Sequence, residues 1–152
     1  MQNVDSAQRA RWMGLLARAP LPMLQAWASR RAAEAFAWLR EPETGLAMVR
    51  ARAGGTGDKF NLGEMTVTRC VLRLKSGTVG VAYVAGRSRR KAELAALADA
   101  LLQEPAAGEI VREELIEPLR MRLEAEAARM QRKAQATRVE FFTLAREAGA
   151  AS

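Results

Sequence analysis

The chain has 152 residues, with 24 Lys+Arg against 17 Asp+Glu, a formal charge of +7 and no histidine. A single cysteine, Cys70, excludes an internal disulfide and leaves this chain without the thiolates for a structural zinc or an iron–sulfur cluster; the missing histidines close a common route to metal ligation and proton transfer. The excess positive charge suits a polyanionic or acidic partner, and the length fits one domain, 1–152, with a frayed alanine-rich tail after about 148.

Asp5 to about Ala19 forms the first expected helix, because Trp12, Leu15 and Leu16 recur at helical spacing and Asp5 or Ser6 offers a cap. Pro20 and Pro22 separate it from a second helix over Leu21 to Arg31. "EAFAWLR" then alternates, with Phe36 and Trp38 on one face, and "EPETG" reads as a turn. Leu46 to Ala53 alternates again, setting Leu46, Met48, Arg50 and Arg52 opposite Ala47, Val49 and Ala51. "EMTVTRCVLRL" supplies a third strand, "KSG" a tight turn and "TVGVAYV" a fourth. The expected fold is therefore α+β, a four-stranded antiparallel meander with the N-terminal and C-terminal helices packed on one face.

A two-residue turn at Ser76 and Gly77 pairs Leu74 with Val79, Leu72 with Val81 and Cys70 with Tyr83 on the apolar face. The opposite face then carries Arg69, Val71, Arg73, Gly80, Ala82 and Val84, and one register brings Arg50 and Arg52 beside Arg69 and Arg73. Arginine mixed with apolar side chains suits an interface better than open solvent. Cys70 reads as a small buried hydrophobe.

After Gly86 and Arg87, "SRRKAELAALADALLQ" predicts a helix capped by Ser88, with Leu94, Leu97 and Leu101 turned to the core. "EPAAGE" breaks it, a short helix follows to Glu117, and Pro118 begins a last helix to about Glu147. Along that helix Leu123, Ala127, Met130, Ala134, Thr137, Phe141 and Leu144 are spaced by steps of four and three, a seam that needs another surface. The N-terminus lacks the apolar core of a signal peptide and no window approaches a membrane span of about 18 apolar residues, so a soluble, cytoplasmic protein is expected.

"RARAGGTGDKFNLGE", residues 50–64, concentrates glycine and positive charge. It lacks the G-x-x-x-x-G-K-[ST] and G-x-G-x-x-G patterns and leads into a strand, so neither nucleotide-binding fingerprint is present. Two readings stay open: a hairpin loop whose glycines serve geometry, or an anion-binding nest of successive amides at Gly54, Gly55 and Gly57, with Lys59 and the flanking Arg50 and Arg52 adding charge. The candidate anion- or partner-binding set is therefore Arg50, Arg52, Gly54, Gly55, Thr56, Gly57, Lys59, Asn61, Arg69, Arg73 and Arg87, the last in a cationic "GRSRRK" cluster at a helix start. No catalytic pair is identifiable, since Asp58 and Glu64 sit near basic residues as salt-bridge partners. The alternative is a basic nucleic-acid-binding module, which the turn of Tyr83 toward the apolar face argues against.

The stretch Pro42 to Gln103, above all "GGTG…FNLGEMTVTR", resembles the PhnG subunit of the bacterial carbon–phosphorus lyase system, as do "RARWMGLLARA" and "TRVEFFTLAREA" at the two ends. The resemblance implies a cytoplasmic subunit of a core complex with PhnH, PhnI and PhnJ. With PhnH, PhnI and the ATPase-like PhnL it implies participation in displacing adenine from ATP by methylphosphonate, giving ribose 1-methylphosphonate 5-triphosphate. Carbon–phosphorus cleavage then falls to PhnJ, which holds the iron–sulfur cluster and uses S-adenosylmethionine; no cofactor is implied for this chain alone. Where relatives carry an acidic residue and a histidine in a G-R-D-x-x-H-A-E stretch, this chain has Ser88 and Lys91, so no proton-transfer role for that histidine passes to it.

Overall fold

The structure, a computed structural model, describes residues 4–52 and 57–150, with side chains described up to residue 138. The chain divides into two units, Met1–Glu117 and Pro118–Ser152. The first contains α1 (Ser6–Arg18), α2 (Leu21–Ser29), β1 (Phe36–Arg52), β2 (Lys59–Leu74), β3 (Val79–Ala85), α3 (Arg89–Leu102) and α4 (Pro105–Val111), followed by a π-helical turn, Arg112–Ile116. The last helix, α5, runs Glu117–Ala150.

The helix starts follow the expected capping chemistry. Asp5 Oδ1 accepts from the Ala7 amide at the start of α1, and Ser88 Oγ accepts from the Lys91 amide at the start of α3. Pro22 lies in the first turn of α2, where its missing N–H costs no intrahelical bond. α3 ends at Leu102, just before "EPAAGE" as expected, but the short helix that follows, α4, already begins within that stretch, with Pro105 in its first turn.

The sheet has three antiparallel strands in the order β1–β2–β3, so the expected four-stranded meander is overturned. "EPETG" does not turn: the two short strands expected on either side of it are one, β1. Pro42 is tolerated because β1 lies at the sheet edge, paired only with β2, and because the ladder slips there. Pairing passes from Trp38↔Leu72 to Arg40↔Val71 and then to Glu43↔Arg69, so β1 takes up two extra residues around the proline as bulges.

The β2–β3 turn corrects a second expectation. The Leu74 amide donates to Thr78 O and the Gly77 amide to Leu74 O, so the loop holds three residues, Lys75 to Gly77, with Gly77 at φ +94°. Three loop residues instead of two shift the register by one, giving Arg73↔Val79, Leu72↔Gly80, Cys70↔Ala82 and Arg69↔Tyr83. Gly80, Ala82 and Val84 therefore join Cys70, Leu72 and Leu74 on the buried face, whereas Tyr83 is exposed beside Arg69.

Helix α3 covers that buried face, with Ala92, Ala96, Ala98 and Ala100 wholly buried beside Leu94, Leu101 and Leu102. Small side chains on the helix and glycine on the strand allow close approach; a Cβ added at Gly80 would lie 2.0 Å from the Ala96 carbonyl oxygen and 2.8 Å from the Ala100 Cβ. Trp12 and Leu16 from α1, Leu24 and Trp27 from α2, and Val111, Leu115 and Ile116 after α3 are also buried in the core. The second unit is a single helical segment, steadied near its start by i,i+4 pairs Arg120–Glu124 at 2.8 Å and Arg122–Glu126 at 3.2 Å. A lone helix cannot bury its own stripe, so the seam of Leu123, Ala127, Met130, Ala134 and Thr137 has no partner within that unit; Phe141 and Leu144 lie outside the described side chains.

Candidate functional site

The expected site residues fall in three places. Arg69 and Arg73 stand on the open face of the sheet, alternating with Val71 along β2. Tyr83 flanks Arg69 and Val79 flanks Arg73 on β3, while Glu43 and Ala37 lie opposite on β1. Glu43 is the acidic neighbour, 3.8 Å from both Arg69 and Arg40. The open face is thus a row of valines and one tyrosine between arginines, and tyrosine and arginine are the types enriched at interface centres.

Arg50 and Arg52 do not join that row. They pair with Asn61 and Lys59, respectively, toward the end of a two-stranded ribbon formed by the far halves of β1 and β2. The strands pair without a shift from Glu43↔Arg69 to Val49↔Gly63, so alternation carries the buried face of Thr68 and Cys70 out to Thr66 and Glu64. Their partners Leu46 and Met48 share that face, as do Arg50 and Arg52 further along β1, opposite in sense to Arg69 and Arg73. The expected register that set the four arginines side by side is therefore overturned. Eight residues of strand, about 27 Å, also separate Asn61 from Arg69.

A bulge on β2 between Val49↔Gly63 and Arg50↔Asn61 re-aims the ribbon, with Gly63 at φ +150°. Gly57 precedes Lys59 at the start of β2, and Gly54, Gly55 and Thr56 lie outside the described residues. Arg87 is exposed at the root of the ribbon, next to Gly86, whose amide donates to Thr66 O at 2.8 Å. The adjacent Thr68 hydroxyl donates to the Gly86 carbonyl at 2.7 Å and meets Thr44 Oγ1 at 3.1 Å, fixing the exit from the sheet.

Several polar residues that position these surfaces were not singled out from sequence. Asp99, fully buried on α3, accepts from Arg9 Nη2 at 2.8 Å and Nε at 3.2 Å, from Trp12 Nε1 at 2.8 Å and from the Val81 amide at 2.9 Å. One carboxylate thus ties α1, α3 and the outer edge of β3, and this bond raises the affinity of the Arg9 guanidinium for its proton. Gln103 Nε2 donates to Val79 O at 2.8 Å, so side chains occupy polar groups that the edge strand would otherwise offer to another strand. The signal was present: in "LAALADALLQ", Asp99 has no cation within a helical turn on either side.

Glu104, just before α4, accepts from the hydroxyls of Thr78 and Ser76, the latter at 2.7 Å, which clamps the β2–β3 turn. Those hydrogen bonds hold its carboxyl below the usual value. Burial is the main cause pushing the Cys70 thiol up to about 11, with the charge of Glu93 adding, so the cysteine is a core residue. Burial also lowers the pKa of Lys91, in the first turn of α3. Arg90 pairs with Glu93 at 2.7 Å, which offsets part of the "GRSRRK" charge. Among the described residues no three His, Cys, Asp or Glu side chains gather as a metal site, and no helix is long and apolar enough to cross a membrane.

The family described as "Phosphonate metabolism protein PhnG" matches residues 7–147 of this sequence. The chain belongs to the PhnG family. A relative from Rhizobium meliloti (strain 1021), alpha-D-ribose 1-methylphosphonate 5-triphosphate synthase subunit PhnG, is 48% identical over 141 residues, covering 92% of this chain and 90% of the relative. Membership in the PhnG family places the chain in phosphonate metabolism, and the nucleic-acid-binding alternative finds no support in it.

Proposed function

We propose that this chain acts as a cytoplasmic accessory subunit of an assembly that makes ribose 1-methylphosphonate 5-triphosphate, and that it binds its partners through the open face of the sheet. The reaction is displacement of adenine from ATP by methylphosphonate, carried out with PhnI, PhnH and PhnL. The same core includes PhnJ, whose iron–sulfur cluster and S-adenosylmethionine serve the later carbon–phosphorus cleavage. The observation that carries the sheet-face reading is the Arg69–Val71–Arg73 row with Tyr83 exposed beside it. Tyrosine loses little conformational freedom for the contact it makes, arginine offers a rigid planar fork of donors, and the interleaved valines supply apolar area, so this surface fits a partner better than water. The synthase named for the relative supplies the reaction class.

The test is co-expression of tagged chain with PhnH, PhnI, PhnJ and PhnL, native mass measurement of what co-purifies, and an assay of adenine release from ATP plus methylphosphonate. A defined complex whose adenine release requires this chain bears the proposal out. Turnover by the isolated chain, or a complex that works equally well without it, refutes it. Within the complex, Arg69→Glu with Arg73→Glu is expected to lower partner recovery at least tenfold while the purified chain keeps its helical circular dichroism.

A further inference from the structure

The ribbon formed by Leu46–Arg52 and Lys59–Thr66 continues past the end of β3, whose last pairing is Val67↔Ala85. Leu46 and Met48 extend the core face but are 68% and 55% exposed. Phe60 and Met65, partners of Ala51 and Ala47 on the other face, are 45% and 39% exposed, and Leu62, at the bulge, is 62% exposed. A ribbon lying on a flat surface would bury one apolar face and keep the other polar. Here each face exposes large apolar side chains, Leu46 and Met48 among the polar Thr66, Glu64, Arg50 and Arg52 on one and Phe60 and Met65 on the other, which fits insertion between two walls.

The far end adds a second observation. Arg52 stands directly opposite Lys59, and Arg50, opposite Asn61, shares the same face. Like charges directly across a ladder destabilise it, and a two-stranded ribbon has little stability of its own in water. Acidic groups from outside the ribbon, placed against that end, would remove the repulsion. A second copy of this chain would instead bring the same cations together.

Resting on the subunit reading above, we propose that this ribbon inserts into a cleft of a different subunit of the same assembly, a cleft with apolar walls and acidic groups at its inner end. The surface is distinct from the Arg69–Arg73 face, so the chain holds its assembly by two separate contacts.

The test uses the co-expressed assembly. A photoreactive phenylalanine analogue placed at Met48 and, separately, at Phe60 samples the two faces of the ribbon. Both positions are expected to cross-link to the same partner subunit; cross-links only between copies of this chain, or from neither position, overturn the proposal. Independently, the triple variant Arg50→Glu, Arg52→Glu, Lys59→Glu should lower partner recovery at least tenfold without changing the circular dichroism of the purified chain. Full recovery with this variant, alongside loss with Arg69→Glu/Arg73→Glu, would sink the ribbon contact and leave the subunit reading standing. Failure of the unaltered chain to assemble at all would sink both.

Discussion

Replacing Asp99 by alanine tests the claim that one buried carboxylate locks α1, α3 and β3 together. Two of its donors, Trp12 Nε1 and the Val81 amide, would lose their acceptor at 2.8 and 2.9 Å, whereas Arg9, with 32% of its side chain exposed, can turn to water. Orphaning a buried donor costs about 1–3 kcal/mol, so two such donors bring the expected loss to about 3–5 kcal/mol. A domain of this size has about 5–15 kcal/mol in all. Asp99→Asn keeps one acceptor oxygen and is expected to cost roughly half as much, about 2 kcal/mol. Urea unfolding followed by circular dichroism reads both; with an m value of about 2 kcal/mol per molar, the midpoint of Asp99→Ala should fall by about 2 M. A cycle with Arg9→Met separates the ion pair from the neutral donors, with an expected coupling of about 1–2 kcal/mol. An Asp99→Ala midpoint within about 0.5 M of the unaltered chain would refute the reasoning, because it would mean the two donors find other partners at no cost.

Gly80→Ala would drive a methyl group into the backbone of α3 and should destabilise by about 3 kcal/mol, whereas Gly45→Ala, with nothing within 4 Å of the added carbon, should stay within about 0.5 kcal/mol; equal denaturation midpoints would contradict the close approach. Cys70 should resist thiol reagents at neutral pH until the chain is unfolded by denaturant, and rapid labelling of the native chain would show the site to be open. Its folded pKa of about 11 lies above the ordinary 9.0, so its contribution is complete below pH 9 and is lost as pH rises toward 11; Cys70→Ala should flatten that alkaline limb of stability. Glu104 has the opposite sign: its lowered pKa gives stability at neutral pH that is lost as pH falls through the folded value, and Glu104→Gln should flatten the acid limb.

Local chemistry made much of this molecule legible. Asp5 and Ser88 cap the helices they were expected to cap, and Pro22 sits in the first helical turn, because capping depends only on a few neighbouring atoms. The inward set Cys70, Leu72 and Leu74 was visible as alternation along one strand. The failures share a cause. Pro42 and Gly45 look like a turn to anyone who cannot see that β1 is an edge strand able to bulge around them. Ser76 and Gly77 fit a two-residue or a three-residue loop equally, and the choice turns every β3 side chain over, bringing Tyr83 out beside Arg69. The arginines of β1 and β2 were visible as a cluster of positive charge in alternating stretches, but their grouping depended on a long-range register.

Residue order alone carries the α+β class, the boundaries of α1, α2 and α3 to within a turn, and the "GGTG…FNLGEMTVTR" stretch that marks the PhnG family, since each rests on contacts between near neighbours or on the letters themselves. Tertiary structure decided which strand face meets α3, the division of the arginines between an open sheet face and a projecting ribbon, and the role of Asp99. A strand has two equivalent faces until something packs on one of them. Here the three-residue Lys75–Gly77 loop brings Gly80 to the face that α3 approaches closely, while the pairing of β1 with β2 separately sets the ribbon's arginines.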